Sequence, residues 1–346
     1  MYRFLIAVLL VLGFGAGAAS WWLHNWWRAP LVVPNAGFVL QVHSGDTLGR
    51  LAARLAADEV IRYPRIYSRI GKFLKLDSRI RAGEYRVEQG TSPAGLLALL
   101  QSSKTIAYDV TLPEGITLNE ALQILHGAEG LVQLMHDGED ARLLELVAPA
   151  PVAEGYFLPE TYRYERGDSD FSILIRAHAL MRKALSEAWA GREPGDLPYS
   201  APYDALIMAS IIEKETGLAS ERGTIGGVFL RRLQRRMRLQ TDPTVIYGLG
   251  ADFDGNLRRQ HLRDESNLYN SYRHHGLPPG PIALPGRDAL HAAVRPEEGD
   301  ALYFVARGDG SHQFSSTLKE HEEAVNHYQL TRREAYRSAP QEQNRE

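Results

Sequence analysis

The chain has no cysteine among its 346 residues, which removes disulfides, thiolate zinc sites and a cysteine nucleophile and leaves the compartment open. Neither sign of charge is in excess: 39 Lys and Arg against 42 Asp and Glu give a net charge of −3, so no overall field favours nucleic acid. Metal-ligand spacing is missing as well. The 12 histidines form no HExxH pattern, His274-His275 reads as a solvated loop pair, and neither a metal nor a cofactor is expected. Near the N-terminus charge disappears altogether: Phe4 to Leu23 is uncharged over 20 positions. At 1.5 Å per residue such a helix spans about 30 Å, the hydrocarbon thickness of a bilayer.

Arg3 precedes this run, and Trp21, Trp22, Trp26, Trp27 and Arg28 follow it as an interfacial aromatic belt does. Residues 1–28 are therefore expected to form a cytoplasmic N-terminus and a transmembrane anchor, with everything from Ala29 facing outward. The small residues of GAGAAS leave a cleaved signal peptide as the alternative.

Three stretches then share one pattern: VHSGDTLGRLAARL (42–55), VEQGTSPAGLLALL (87–100) and LPEGITLNEALQIL (112–125). Each has an apolar strand end, a glycine turn at Gly45, Gly90 or Gly115, and a Thr47, Ser92 or Thr117 in the N-cap position of an amphipathic helix. Thr117 and Glu120 have capping-box spacing. The first unit resembles a LysM module, a small fold that binds the N-acetylated sugars of cell-wall glycans; an ordinary α+β packing unit gives the same pattern.

The prolines of APAPVAE (148–154) mark a boundary, so residues 29–150 are expected as the LysM-like module and 151–337 as a second domain. Helices are expected near 170–190, 202–216 and 221–238. The arginine run RRLQRRMRL in the last of these reads as a solvated face. LQTDPTVIYG (239–248) and YNSYRHHGLPPGPIALPG (269–286) read as long polar-aromatic loops of the kind that build sugar sites, the bland alternative being prolines that rigidify connections. A hairpin is expected around Gly308-Asp309-Gly310, a helix capped near Ser316, and a disordered tail over 338–346.

The stretch IMASIIEKETGLASE (207–221) ends an apolar helical run in two glutamates. Two positions apart on a helix lie roughly 200° apart, so Glu213 and Glu215 face different ways. Glu215 follows Ile212, Ile211 and Met208 at spacings of three, four and seven, which puts it on the buried stripe. Glu213 falls on the Ala209–Ser210 flank, where a carboxylate stays wetter or pairs locally. With Gly217 as a helix stop, apolar neighbours and the unpaired C-terminal carbonyls both favour the protonated form of Glu215, the state a general acid requires. A nearby arginine neutralising a merely structural Glu215 is the competing reading.

In order along the chain, the apolar N-terminal run, the LysM-like unit, EGYFLPETY, ASIIEKETG, LQTDPTVIYG, YNSY, GLPPGPI and YFVARGDGSHQF resemble the endolytic murein transglycosylase (MltG or YceG-like) family, nearly end to end. ETY stands where that family often has DTY, and NSY where NTY is usual; the first leaves the role of Glu160 open. The resemblance implies a bacterial inner-membrane protein with a periplasmic catalytic part. It implies cleavage of nascent peptidoglycan strands between N-acetylmuramic acid and N-acetylglucosamine with a 1,6-anhydro end, and association with peptidoglycan synthases. The family's catalytic glutamate is the second of EKET, here Glu215. From loop chemistry Gln240, Thr241, Asp242 and Tyr247 are candidates for positioning substrate, Tyr269, Asn270 and Tyr272 for gripping sugar, and Glu160 for orienting the site. A hydrolytic muramidase pairing Glu215 with Asp242 or Glu160, and a non-catalytic glycan-binding scaffold, are the alternatives. The expected architecture is α+β: an anchor, a small LysM-like module, and a mainly helical catalytic domain with a C-terminal hairpin and long loops.

Overall fold

The computed structural model describes residues 2–34, 36–76, 80–102, 104–192 and 197–330, and the tail expected over 338–346 lies outside them. The chain divides into two compact units, one of residues 1–109, 129–132 and 163–168, the other of 110–128, 133–162 and 169–346. The proline-bearing stretch 148–154 lies within the second.

In the first unit α1 (Tyr2–Arg28) is one helix of 27 residues, long and apolar enough to cross a membrane, with a mean hydropathy of 2.1 over its most apolar 18 residues and no fully buried residue. Its C-terminal tryptophans pack onto the next elements, Trp22 on Tyr63 at 5.1 Å and Trp27 on Tyr67 at 5.9 Å between ring centroids. There follow β1 (Phe38–Val42), α2 (Leu48–Ala57), α3 (Pro64–Phe73), β2 (Gly83–Val87) and α4 (Pro93–Gln101). β1 and β2 are antiparallel, with Phe38 opposite Val87 and Val42 opposite Gly83. Alternation turns Leu40, Val42, Tyr85 and Val87 inward, where Leu48, Leu51, Leu55, Leu96 and Leu100 close the core. Each of these leucines contributes roughly 2 kcal/mol by leaving water. Both helices after the glycine turns are capped as their sequences require: Thr47 accepts from the Arg50 amide and Ser92 from the Gly95 amide.

β3 (Ala107–Thr111) pairs with β4 (Thr161–Glu165). In the second unit α5 (Leu118–Gly127) opens on the Thr117–Glu120 capping box. Next come α6 (Ala141–Val147), α7 (Asp170–Ala190), α8 (Pro202–Glu215), α9 (Arg222–Gln234), α10 (Asp242–Leu249), α11 (Arg259–Arg263) and α12 (Arg287–Val294). The antiparallel hairpin of β5 (Tyr303–Ala306) and β6 (His312–Ser315), then α13 (Leu318–Val325) and a π-helical turn over Asn326–Leu330, complete the described chain.

The second unit is organised around α8. Pro202 starts it, the Asp204 carboxylate accepts from the Ser200 and Ala201 amides, and every residue from Ala205 to Ile212 is buried. A helix apolar on all sides belongs in the middle, and α7, α9, α10 and α12 pack around this one. Ser210 is tolerated there because its hydroxyl donates to the Ile207 carbonyl and accepts from the Ile282 amide.

Two expectations are corrected. Residues 242–249 are helix rather than loop, because Asp242 and Pro243 occupy the first turn, where an acidic side chain and a missing N–H are both favoured. The arginine run is a solvated face only in part: Arg235 and Arg236 are exposed, but the helix ends at Gln234, and Arg232 is buried with its guanidinium donating to the Leu239 and Leu302 carbonyls. Five N–H donors on one planar group suit such a cluster of loop carbonyls.

Candidate active site

The two glutamates at the end of α8 enter different surroundings. Glu213 is the more enclosed, only 8% exposed, and the wet flank expected for it does not exist because Ala209 and Ser210 are buried too. It is satisfied by pairing: one oxygen accepts from Arg222 at 2.7 Å, the other from the Gly286 amide at 2.8 Å. Burial pushes its carboxyl upward, and the Gly286 amide and Arg222 pull it back. Arg222 also reaches Glu114 at 3.1 Å and Asp288 at 3.4 Å, so one guanidinium ties α8 and α9 to the turn before α5 and to α12.

Glu215 closes α8, two residues before Gly217, as Thr216 turns the chain extended. It lines a cavity of 480 Å³, within the usual size of a small-ligand site. One wall is Glu215 with Arg232 and the segment Leu239 to Asp242; Tyr272 stands beside them. The facing wall is β5, His312 of β6, and Leu318, His321 and Val325 of α13. The Thr241 hydroxyl donates to Glu215 Oε1, and the Tyr272 hydroxyl to Asp242 Oδ1 at 2.7 Å. Arg232 lies over the Tyr303 ring at 5.0 Å, and His321 stacks on the same ring at 5.1 Å between centroids. His312 is held by Glu221, which takes the ring Nδ1 at 2.7 Å and the His312 amide at 2.9 Å.

Enclosure is what sets the acidity of Glu215. Burial raises its pKa from the ordinary 4.5 to about 7; the Thr241 bond opposes this, the Asp242 charge adds to it, and His312 and Arg232 oppose it. A carboxyl of this kind holds a proton near neutrality and can still release it. Burial first, and the bond to Asp242 second, hold the Tyr272 hydroxyl far above the ordinary range, so it remains a donor. Asp242→Asn removes the negative charge that helps Glu215 keep its proton. The alkaline limb of the kcat/KM profile should move to lower pH, with activity above neutrality falling roughly two- to tenfold relative to the acid side. A profile superimposable on that of the unaltered protein would contradict this coupling. Among the described residues no group of three His, Cys, Asp or Glu side chains is placed to hold a metal ion.

Residues 40–327 match the YceG-like family. The chain belongs to the YceG-like family. It is 29% identical over 307 residues to an endolytic murein transglycosylase of Bacillus subtilis, covering 84% of both chains. To the protein of the same name in Streptococcus pneumoniae strain D39 it is 25% identical, covering 82% of this chain and 57% of that one. The solved structure of a YceG-like protein from Listeria monocytogenes superposes with a TM-score of 0.51 at 26% identity, over 83% of this chain and 98% of that one.

Of the residues singled out in this YceG-like sequence, Glu215, Gln240, Thr241, Asp242 and Tyr272 come together at the cavity. The other four do not line it. Tyr247 and Tyr269 pack together at 4.9 Å between ring centroids, and the Tyr247 hydroxyl donates to Glu154. Asn270 is wholly buried as a brace for its own loop, its amide donating to the His261 and Asp264 carbonyls and accepting from the Tyr272 amide. Glu160 is exposed and accepts from the neighbouring Thr161 amide. Sequence reasoning passed over Arg232, Tyr303, His312 and His321, which do line the cavity, and Glu221, which holds His312. It also passed over Glu154, buried below the Leu118 amide and raised by that burial to about 7. The GSHQF stretch carried the one available signal, a histidine just beyond a hairpin turn.

Proposed function

We propose that this chain is a membrane-anchored endolytic transglycosylase of peptidoglycan, with α1 as the anchor, a cytoplasmic N-terminus and the chain from Ala29 onward in the periplasm. The substrate is the nascent glycan strand and the bond is that between N-acetylmuramic acid and N-acetylglucosamine. The observation that carries the reading is Glu215, an enclosed carboxyl with a pKa of about 7 on the wall of a polar cavity, in a family whose named relatives are endolytic murein transglycosylases. The β1–α2–α3–β2 arrangement of the first unit supports a LysM-like glycan grip beside the anchor.

Glu215 donates its proton to the glycosidic oxygen as the bond to the anomeric carbon breaks and the sugar beyond it leaves with a hydroxyl. The neighbouring N-acetyl oxygen of the muramyl residue shares the positive charge. Its own 6-hydroxyl then closes on the anomeric carbon, and the proton released restores Glu215. Thr241 orients the carboxyl, and Asp242, fixed by Tyr272, keeps it protonated until substrate arrives. No second carboxylate need act as nucleophile, in contrast to ordinary glycosidases.

Mass spectrometry of uncrosslinked glycan strands digested by the full-length protein tests this directly. Ends one water lighter than reducing ends are expected. Reducing ends alone would make the protein a hydrolase with Asp242 as the base, and retention of strands without cleavage would make it a binding scaffold.

A further inference from the structure

The transglycosylase reading leaves open how the proton of the muramyl 6-hydroxyl gets back to Glu215, and the opposite wall of the same cavity holds a group suited to the task. His312 is the first residue of β6, and its side chain is 12% exposed, against 14% for Glu221. Phe304 meets the imidazole edge-on at 5.4 Å and Phe314 lies 6.4 Å away, so the ring is confined by aromatic neighbours on its own hairpin.

Glu221 lies in the short turn before α9 and binds His312 twice, at the ring and at the backbone. A carboxylate can only accept, so Nδ1 carries the hydrogen of that bond. In the neutral ring the lone pair then falls on Nε2, which Glu221 does not engage, on a residue that lines the cavity. A donor for the leaving oxygen already exists in Glu215; of the acceptors in the lining, Asp242 has one oxygen engaged by Tyr272, and His312 is the imidazole that a carboxylate holds in place. A buried histidine backed by a carboxylate is also the common form of a general base, since the carboxylate both fixes the tautomer and stabilises the imidazolium.

We propose that His312, oriented by Glu221, is the base that takes the proton of the muramyl 6-hydroxyl as the anhydro ring closes. This rests on the transglycosylase reading. The bond from O6 to the anomeric carbon forms while the O6–H bond breaks, the proton goes to His312 Nε2, and the imidazolium then passes it to the Glu215 carboxylate left by the first step. No proton is gained or lost over the cycle. Glu221 touches no reacting atom in this scheme and is a positioning residue.

The test is a ratio of products, which a merely structural role does not move. His312→Asn keeps an N–H where Nδ1 was, able to donate to Glu221, and removes the acceptor at Nε2. Full-length His312→Asn, Glu221→Gln and unaltered protein are each given uncrosslinked glycan strands, and anhydro and reducing ends are counted by mass spectrometry. Without its base the ring closes slowly and water competes for the anomeric carbon. The anhydro fraction should therefore fall at least threefold in His312→Asn and by a smaller factor in Glu221→Gln, with thermal unfolding midpoints close to that of the unaltered protein. An unchanged anhydro fraction in His312→Asn, whether or not turnover slows, overturns the proposal. If His312→Asn does not fold, Glu221→Gln decides by the same ratio. Should the unaltered protein itself give no anhydro ends, the transglycosylase reading fails first, and that outcome is seen before any variant is compared.

Discussion

Glu215→Gln should reduce formation of anhydro ends to below about 1% of the unaltered rate, because a positioned general acid contributes about 10²–10⁴-fold and an amide has no acidic proton to give. Glutamine keeps the size of the side chain and an oxygen to accept from Thr241, so the cavity should persist. A second readout separates loss of chemistry from loss of fold. With a folded-state pKa of about 7 against an ordinary 4.5, Glu215 binds its proton more tightly in the native than in the unfolded chain. Its contribution to stability is therefore most favourable below the lower value, declines as pH rises between the two, and is fully lost above the higher one. That interval corresponds to at most ~3 kcal/mol. Glu215→Gln lacks the decline, and at alkaline pH it should be the more stable protein while being the inactive one. Denaturant unfolding of both proteins on either side of neutrality checks this. A variant that turns over strands at the normal rate, or loses stability with alkalinity as the unaltered protein does, removes Glu215 from the centre of the chemistry.

The second large effect is on stability and belongs to the other glutamate. Arg222→Met should destabilise the second unit by about 3–5 kcal/mol, because it strands Glu213 in a buried position with only the Gly286 amide for compensation. For a unit of this size that is a fall of roughly 10 °C in Tm. The exposed partners Asp288 and Glu114 add little to the loss, since solvent screens them. Two further measurements identify the cause as uncompensated charge. Glu213→Gln combined with Arg222→Met should recover part of the loss, and the single variant's deficit should shrink on acidification as the lone carboxyl takes up a proton. If the double variant is no better than the single, packing of the arginine stem is the dominant factor.

These two residues also show where reading the chain succeeds and where it stops. Helical spacing separated Glu213 from Glu215, and in the fold they do diverge, one into an ion-pair cluster and the other onto a cavity wall. The flank given to Glu213 was judged from α8 alone, and a helix surrounded on all sides has no outside. Caps and turns were legible because they are local: Thr47, Ser92 and Thr117 act on amides three residues away, and the glycines before them sit at positive φ of 79°, 86° and 78°. The hairpin at Gly308-Asp309-Gly310 was legible for the same reason. Arg232 was not, because its acceptors include a carbonyl 70 residues further on, and nothing within RRLQRRMRL marks one arginine as buried. Nor was the pairing of Glu221 with His312, 91 residues apart. At Asp242-Pro243 the signal was present but ambiguous, since the same dipeptide opens a turn or a helix.

The cavity joins an early wall to a late one. Glu215 precedes β5, β6 and α13 in the chain, so the enclosure that raises its carboxyl is complete only once those elements have docked.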